Sequence, residues 1–452
     1  MDIKFIVLWS DILIYILILA SIALIFYINT HEQIRSSCYK IFCQKIGLIS
    51  FLILMFYVSI ALLDSIHFQK KVGKDRYSNQ IYSCLDIILS PWDDVDEVSY
   101  SSPFADYLYG ANDTHGHDGK LQYVDNKTSI KYTAIKVILS NLLVFSLCLY
   151  LIILILAKIY DKNIFEMYKY IFCKDDKKGI CISWMSLVTT LFFIITIFFV
   201  LLALSKSYHI FGTDKIGQDV FYKTLKSIRT AMIIGTLTTL FMLPFACVCG
   251  IYAGFYGGVV DDVIQYIYTT LSSVPSVLLI SAMILILQTQ MNLHPEWFPN
   301  NAYRADIRLI SLCVILGITS WSGLCRLLRA ETYKLREMDY VNAAYVLGVS
   351  KVKIMIRHIF PNLMHIILIT IALSFSGLVL SEAVLSYVGI GVDPSMFSFG
   401  NMINAARLEL AREPIVWWSL AAAFAFMFIL ILFANLFADS VRNAFDPKLR
   451  LQ

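Results

Sequence analysis

An all-α, polytopic membrane fold is what this sequence predicts, on three observations. Apolar residues make up 58% of the 452 positions and charged residues only 15%. Mean hydropathy is +0.69, and apolar windows long enough to cross a bilayer recur along the chain. A spanning helix needs roughly 20 mostly apolar residues, because backbone groups left unpaired in hydrocarbon each cost several kcal/mol. Windows at 12–27, 46–63, 137–156, 187–204, 231–252, 267–287, 310–325, 363–379 and 418–437 meet or approach that length, so about nine spans are expected, with 310–325 marginal by itself. They are apolar all round and joined by polar loops, which argues against a soluble protein with nine buried helices. The first window begins near Trp9 and no convincing small-residue cleavage site follows, so it reads as an anchor and not a removable signal.

The net charge of +4 is too small to imply nucleic-acid binding in a chain of this length. Its distribution says more. Basic residues gather at 158–178 and 326–357, whereas the loop after the second window carries Asp93, Asp94, Asp96 and Glu97. The positive-inside rule puts the basic segments in the cytoplasm, and span parity then puts the N-terminus outside and the C-terminus in the cytoplasm. Lys70, Lys71, Lys74 and Arg76 pull locally the other way. Of the ten cysteines, Cys148, Cys247, Cys249 and Cys313 fall inside windows and act as small apolar side chains, with no clustering fit for a disulfide framework or zinc site. Cys173 and Cys181 have a spacing that could pair, but on the reducing side.

The chain divides near residue 182. Residues 1–182 hold about three windows, an extracytoplasmic loop near 67–131 and a basic connector; residues 183–452 hold six windows. Within the loop, Asp113, His115, His117 and Asp118 are either metal ligands or, more commonly for so short a pattern, a solvated polar turn. Asn112 and Asn126 begin glycosylation-type triplets. Gly250, Gly254, Gly257 and Gly258 are not a phosphate loop, because no Gly-Lys-Ser/Thr follows them; close helix approach and a tight turn explain them. No hydrolase or kinase constellation is present, so any ATP must be bound by another chain.

The strongest local pattern runs over 340–362. It reads as two short helices with a bend: Ala343 and Ala344 favour helix and allow close contact, Gly348 relieves the backbone, and Ser350 is placed to cap the next turn. Pro361 ends the second helix or fixes its passage into the following span. Lys351, Lys353 and Arg357 would face headgroups or an acidic partner.

These residues resemble the "EAA" coupling loop of ABC importer permeases, a pattern of Glu-Ala-Ala, three residues, Gly, nine residues, Ile, one residue, Leu-Pro. Ala343, Ala344, Gly348 and Pro361 keep the spacing; Asn342 stands where the family has Glu, His358 where many members have Ile, and Phe360 where they have Leu. Arg357, His358, Pro361 and Asn362 are more specifically similar to the dipeptide, oligopeptide and nickel permeases. The block Gly212-Thr213-Asp214, two residues, Gly217-Gln218-Asp219, one residue, Phe221 resembles the one that precedes a core span there, with Gln218 replacing Arg. Asp214 and Asp219 are expected to lock this loop, or alternatively to touch substrate. The turn 253–261, the glycine block 385–391 and the ending 446–450 follow in the family's order, so the resemblance covers about 183–452.

The resemblance implies a type I ABC importer transmembrane domain in the bacterial cytoplasmic (inner) membrane. Six spans would form half of a pathway and a second permease subunit the other half. Two ATP-binding subunits, of one or two types, would receive the coupling loops, and an extracytoplasmic solute-binding protein would deliver dipeptides or oligopeptides. Nickel bound to a small ligand, another solute, export by the same architecture, or a non-transporting membrane scaffold are the competing readings. No cofactor, metal or catalytic residue is implied in this chain; ATP and magnesium belong to the partner subunits. The coupling residues carried over are Asn342, Ala343, Ala344, Gly348, Arg357, His358 and Pro361. Gly212, Asp214, Gly217, Asp219 and Glu382 are extracytoplasmic structural or pathway candidates. Glu382 is singled out because a carboxylate at membrane depth is expensive unless paired or wet, although it can also cap a helix interface or sit in an aqueous rim. Arg326 and Arg329 more simply mark a cytoplasmic boundary.

Overall fold

The computed structural model describes residues 3–30, 32–70, 81–89, 99–105, 130–159, 184–206, 208–298, 300–412 and 415–445. Outside the described residues lie Lys71, Lys74, Arg76, the acidic cluster at 93–97, Asn112, the group Asp113, His115, His117 and Asp118, Asn126, the connector from 160 to 183 with Cys173 and Cys181, and the ending 446–450.

Helices dominate. A short strand β1 (Ile3–Ile6) precedes α1 (Trp9–Thr30), α2 (Glu32–Cys43) and α3 (Lys45–Asp64). Strands β2 (His67–Lys70) and β3 (Tyr82–Ser83) pair antiparallel, His67 opposite Ser83, and lead into α4 (Cys84–Leu89). The chain continues through α5 (Ile130–Ile159), α6 (Trp184–Ser205), α7 (Val220–Tyr256), α8 (Gly258–Ser273), α9 (Ser276–Leu293) and α10 (Asn301–Arg336). Then come α11 (Asp339–Val346), α12 (Lys351–Ile354), α13 (Phe360–Tyr387), α14 (Phe399–Glu409) and α15 (Trp418–Phe445).

Among the described residues eight helical stretches are long and apolar enough to cross a membrane: Lys45–Asp64, Ile130–Leu147, Met185–Ser205, Val220–Tyr256, Ser276–Leu293, Asn301–Arg336, Lys351–Tyr387 and Trp418–Phe445. Trp9–Ala23 is a shorter apolar stretch. The multi-spanning, all-α class is the expected one, but two windows change shape. The window 267–287 is not continuous: Val274 is extended (φ −85°, ψ 132°) because Pro275 disfavours helical backbone in the residue before it, so α8 stops at Ser273 and the span is α9. The marginal window 310–325 is the middle of a 36-residue helix, α10, whose polar ends averaging over hydropathy had hidden.

Backbone packing gathers the described residues into two compact units, one drawn from 1–3, 28–229 and 405–440, the other from 4–27, 230–404 and 441–452. In the first, α3 and α5 pack on α6, with edge-on aromatic contact between Phe56 and Phe198 at 5.2 Å and a tilted one between Phe145 and Phe192 at 5.1 Å. Tyr57 of α3 donates to the Phe426 carbonyl of α15 at 3.2 Å. In the second, two apolar clusters form. One joins Ile234, Leu237, Leu309, Leu316 and Leu385, with Leu13 and Ile14 of α1 packed against it. The other joins Cys325, Leu328, Val341, Ala344, Ile354 and Ile359, which seats the 340–362 segment on the end of α10. α1 and α10 begin at the same end: the Ser10 amide donates to the buried Asp306 carboxylate at 3.0 Å.

Candidate functional site

The 340–362 segment has the two-helix form expected of it, and the reasons are local. At the end of α11 the Gly348 amide donates to the Tyr345 carbonyl at 3.0 Å and the Val349 amide to the Ala344 carbonyl at 3.1 Å. That pair of bonds is the Schellman arrangement, which needs a left-handed residue at its centre. Gly348 supplies it with φ 76°. Nothing lies within 4 Å of where its Cβ would stand, so the requirement is conformational and not one of space. Val349 packs on the cluster that contains Ala344, completing the cap.

The residues alternate in role along α11. Val341 and Ala344 are buried, whereas Asn342 and Ala343 are exposed. Close contact is therefore made by Ala344 and not by Ala343. The tip projects apolar side chains outward: Val346 is 84% and Leu347 81% exposed. Ser350 stands just before α12, at its N-cap as expected, but makes no side-chain capping bond. Pro361 does not end the helix. A wide turn at Met355–Ile359 precedes it and α13 continues with Pro361 in its first turn. Proline lacks the amide that would bond four residues back and its ring crowds that carbonyl, and a local π turn relieves both. Ile354, Met355 and Ile359 face inward, His358 is half-buried, and Lys351, Lys353, Arg357 and Pro361 are exposed. Asn362 Nδ2 donates to Tyr340 Oη at 3.0 Å, closing the segment on itself.

Beside this segment the turn between α7 and α8 is held by a pair the sequence reading assigned differently. Arg329, taken as a boundary marker, forms a two-pronged bond with Asp261, with Nη2 to Oδ2 at 2.6 Å and Nε to Oδ1. Gly254 allows the approach, since a Cβ there would lie 2.6 Å from the Arg329 carbonyl oxygen. Arg326 lies over the Tyr268 ring at 5.2 Å. A guanidinium fork on a carboxylate holds the first turn of α8 against α10.

The 209–221 block is a locked loop. Asp214 Oδ1 accepts from the amides of Ile216 (2.9 Å) and Gln218 (3.1 Å), and its other oxygen pairs with Lys223. Asp219 Oδ1 accepts from the Phe221 amide at 2.7 Å, while Oδ2 meets His209 Nδ1 at 3.0 Å. Gly212 and Gly217 have φ 68° and 90°. Thr213 anchors the loop from both sides. Its carbonyl accepts from buried Trp418 Nε1 at 2.9 Å, its hydroxyl accepts from the Ser101 amide at 2.8 Å, and its amide donates to the Ser101 carbonyl at 2.9 Å. The Tyr100 amide donates to the Asp214 carbonyl at 3.1 Å. A short piece of the N-terminal region is thus stitched along the block.

A second link of the same kind is a charged cluster. Asp86 of α4 accepts from Lys226 Nζ at 2.7 Å, Tyr222 Oη at 2.9 Å and the Ser83 amide at 2.7 Å. Burial by itself would raise the Asp86 carboxyl, but the Lys226 ammonium, with these hydrogen bonds, holds it below its ordinary value. A carboxyl lowered in the folded state adds stability that is complete above its unfolded pKa and is lost as pH falls through the folded value. Acid should therefore weaken this link only below the usual carboxylate range. Lys226→Met should cost on the order of 3 kcal/mol by leaving Asp86 without its cation. Adding Asp86→Asn should recover part of that loss, read by thermal unfolding of the solubilised protein; an unaltered single mutant would show the pair to be idle.

Glu382 lies inside the second unit, 2% exposed. Ser386 Oγ donates to it at 2.7 Å, and the Ser398 hydroxyl also reaches it. Gly391 and Gly400 pack so closely on Ser386 that a Cβ at either would lie 2.0 Å and 2.5 Å from it. The glycine block after α13 thus closes over Glu382. Among the described residues no group of three or more His, Cys, Asp or Glu side chains is placed to hold a metal.

Comparison with known proteins agrees with this geometry. Residues 246–451 match the family model described as "Binding-protein-dependent transport system inner membrane component". The chain is 31% identical over 242 residues to the oligopeptide transport system permease protein OppC of Bacillus subtilis (strain 168), covering 54% of this chain and 72% of that protein. It is 30% identical to the dipeptide transport system permease protein DppC of Lactococcus lactis subsp. cremoris (strain MG1363), over 54% of this chain and 65% of that one. With OppC of Haemophilus influenzae the identity is 28%, over 54% and 71%. Together with the eight long apolar helices and the Ala344–Gly348 cap, these matches place the chain: it belongs to the inner-membrane permeases of binding-protein-dependent ABC importers, as a second-permease subunit of the OppC/DppC type.

Proposed function

We propose that this permease subunit carries dipeptides or oligopeptides inward, coupled to ATP hydrolysed on separate subunits. The observation that carries the coupling is the rigid 340–362 element, capped at Gly348, seated on α10 through Val341, Ala344 and Ile354, and presenting Tyr345, Val346 and Leu347 outward. The printed names of the relatives, oligopeptide and dipeptide transport permeases, support the substrate class. Residues 183–452 would form the six-span core, in keeping with six of the eight candidate spans falling there. A second permease would complete the pathway, two ATP-binding subunits would receive the coupling elements, and an extracytoplasmic binding protein would present the peptide.

Asn342, Ala343, Ala344, Gly348, Arg357, His358 and Pro361 are assigned to the coupling element. Gly212, Gly217, Asp214, Asp219 and Glu382 are assigned to shaping the extracytoplasmic loops, a role favoured by their saturated local hydrogen bonds. The N-terminus would lie outside, since α1 starts beside the start of α10 and α10 ends at the coupling element. α15 starts beside Thr213 at the head of α7, which favours a cytoplasmic C-terminus. ATP-driven closure would push the coupling elements and shift the pathway between inward and outward access, which requires that ATP bind the two states with different affinity.

Purification of the endogenous complex, followed by ATPase assay with short peptides and the binding protein, tests this. A second permease, ATPase subunits and peptide-stimulated hydrolysis are expected. A complex without ATPase subunits would favour a scaffold, and stimulation by nickel complexes alone would move the substrate class.

A further inference from the structure

We propose that the cytoplasmic coupling surface of this chain is recognised by a carboxylate of its ATPase partner, seated in a cavity beside Lys351. The proposal rests on the assignment of 340–362 as the ATPase-coupling element. From 340 to 362 the chain holds no Asp or Glu but has Lys351, Lys353 and Arg357, all exposed. Two cavities flank α12. One, open and of about 570 Å³, is lined by Lys353, Arg357 and Pro361. The other, of about 230 Å³, lies between the α7–α8 turn and α11 and is lined by Tyr256, Arg336, Asn342, Tyr345 and Lys351, with Glu337.

Charge within the smaller cavity decides what it would take. Glu337 is already engaged by Arg336, through Nη2 at 2.9 Å and Nε at 3.1 Å. Lys351 stands over the Tyr256 ring at 5.4 Å, its ammonium toward the cavity's aromatic wall. Asn342, at the position where the resembling loop has Glu, brings an amide and no charge. The lining is therefore net positive, with room for a single side chain and hydroxyl and amide donors around it. A carboxylate fits those features. Next to it Val346 and Leu347 offer an apolar tip, so the occupant should come from a protein surface that combines an apolar slot with an acidic rim. A lipid headgroup would account for the cations but not for the projecting tip.

The test uses the complex purified from its host, with this chain carrying Lys351→Glu, Lys351→Arg or Asn342→Glu. Lys351 is the first residue of α12, where a carboxylate suits the helix dipole, so Lys351→Glu should leave the element folded. Lys351→Glu should lower retained ATPase subunit about tenfold and Lys351→Arg should not. Asn342→Glu should also weaken retention by filling the cavity from within, and wild-type association should loosen as salt rises. A charge-reversing substitution in the ATPase that restores binding to Lys351→Glu would identify the carboxylate. Wild-type retention by Lys351→Glu would overturn the proposal and leave the coupling assignment standing. A wild-type complex lacking ATPase subunits would instead overturn the assignment itself. Unchanged ATPase retention in Lys351→Glu, with lost binding to vesicles containing anionic lipid, would move the surface to the membrane.

Discussion

Gly212→Val should prevent stable folding of the 209–221 block. At Gly212 the backbone has φ 68°, and a Cβ would lie 2.3 Å from the Ser101 carbonyl oxygen and 3.0 Å from Trp418 Nε1. Neither neighbour is free to move. The Ser101 carbonyl accepts from Thr213 and the Trp418 ring, 2% exposed, donates to the Thr213 carbonyl. A β-branched residue meets both a disfavoured left-handed backbone and an immovable wall, a combination worth about 3 kcal/mol or more. The solubilised chain should melt earlier and lose protease resistance near residue 209. Gly217→Ala, at φ 90°, adds a single methyl without a β-branch and should lose less. Equal stability of wild type and Gly212→Val would mean that the stitch to Ser101 is not formed.

Gly348 should behave differently, giving loss of coupling without loss of the protein. Its φ of 76° is demanding but its Cβ position is empty, so the cost is set by backbone preference. For alanine that is about 1–2 kcal/mol, enough to shift the capped geometry roughly tenfold in population. Asn tolerates left-handed backbone and should fall between Gly and Ala, whereas Val should be worst. Substrate-stimulated ATPase activity of the reconstituted complex should follow Gly, Asn, Ala, Val in descending order while the yield of complex stays level. Normal stimulation and transport by Gly348→Val in an intact complex would sink the coupling role of this bend.

The two glycines also mark what the sequence made readable. Features built within a few residues were legible: the Asx locks of Asp214 and Asp219, the bend at Gly348 and the spans themselves all rest on local spacing or mean hydropathy. Pairings between distant positions were not. Nothing in the neighbourhood of Arg329 points to Asp261, and nothing near Lys226 points to Asp86, although both pairs have hydrogen-bond geometry in the fold. Hydropathy averaging concealed the break at Pro275, because one proline hardly changes the mean of an apolar window. Ser350 illustrates the opposite error, a residue of the right type at a helix start whose side chain makes no capping bond. The N-terminal region was set apart because it has no counterpart in the resembling pattern. Yet Ser101 and Asp86 bind the 209–226 segment directly, a relation only the fold reveals.

The most direct measurement of the proposed ATP coupling through this chain is photo-crosslinking from position 347, where the native leucine is 81% exposed at the tip of the 340–362 segment. With a photoreactive side chain at 347 in the assembled complex, illumination should join this chain to an ATPase subunit, and the yield should change when ATP and magnesium are added. A crosslinker at Leu363, which is fully buried, should give no such product. Adducts from 347 with lipid alone, or a protein adduct whose partner binds no ATP, would contradict the coupling role.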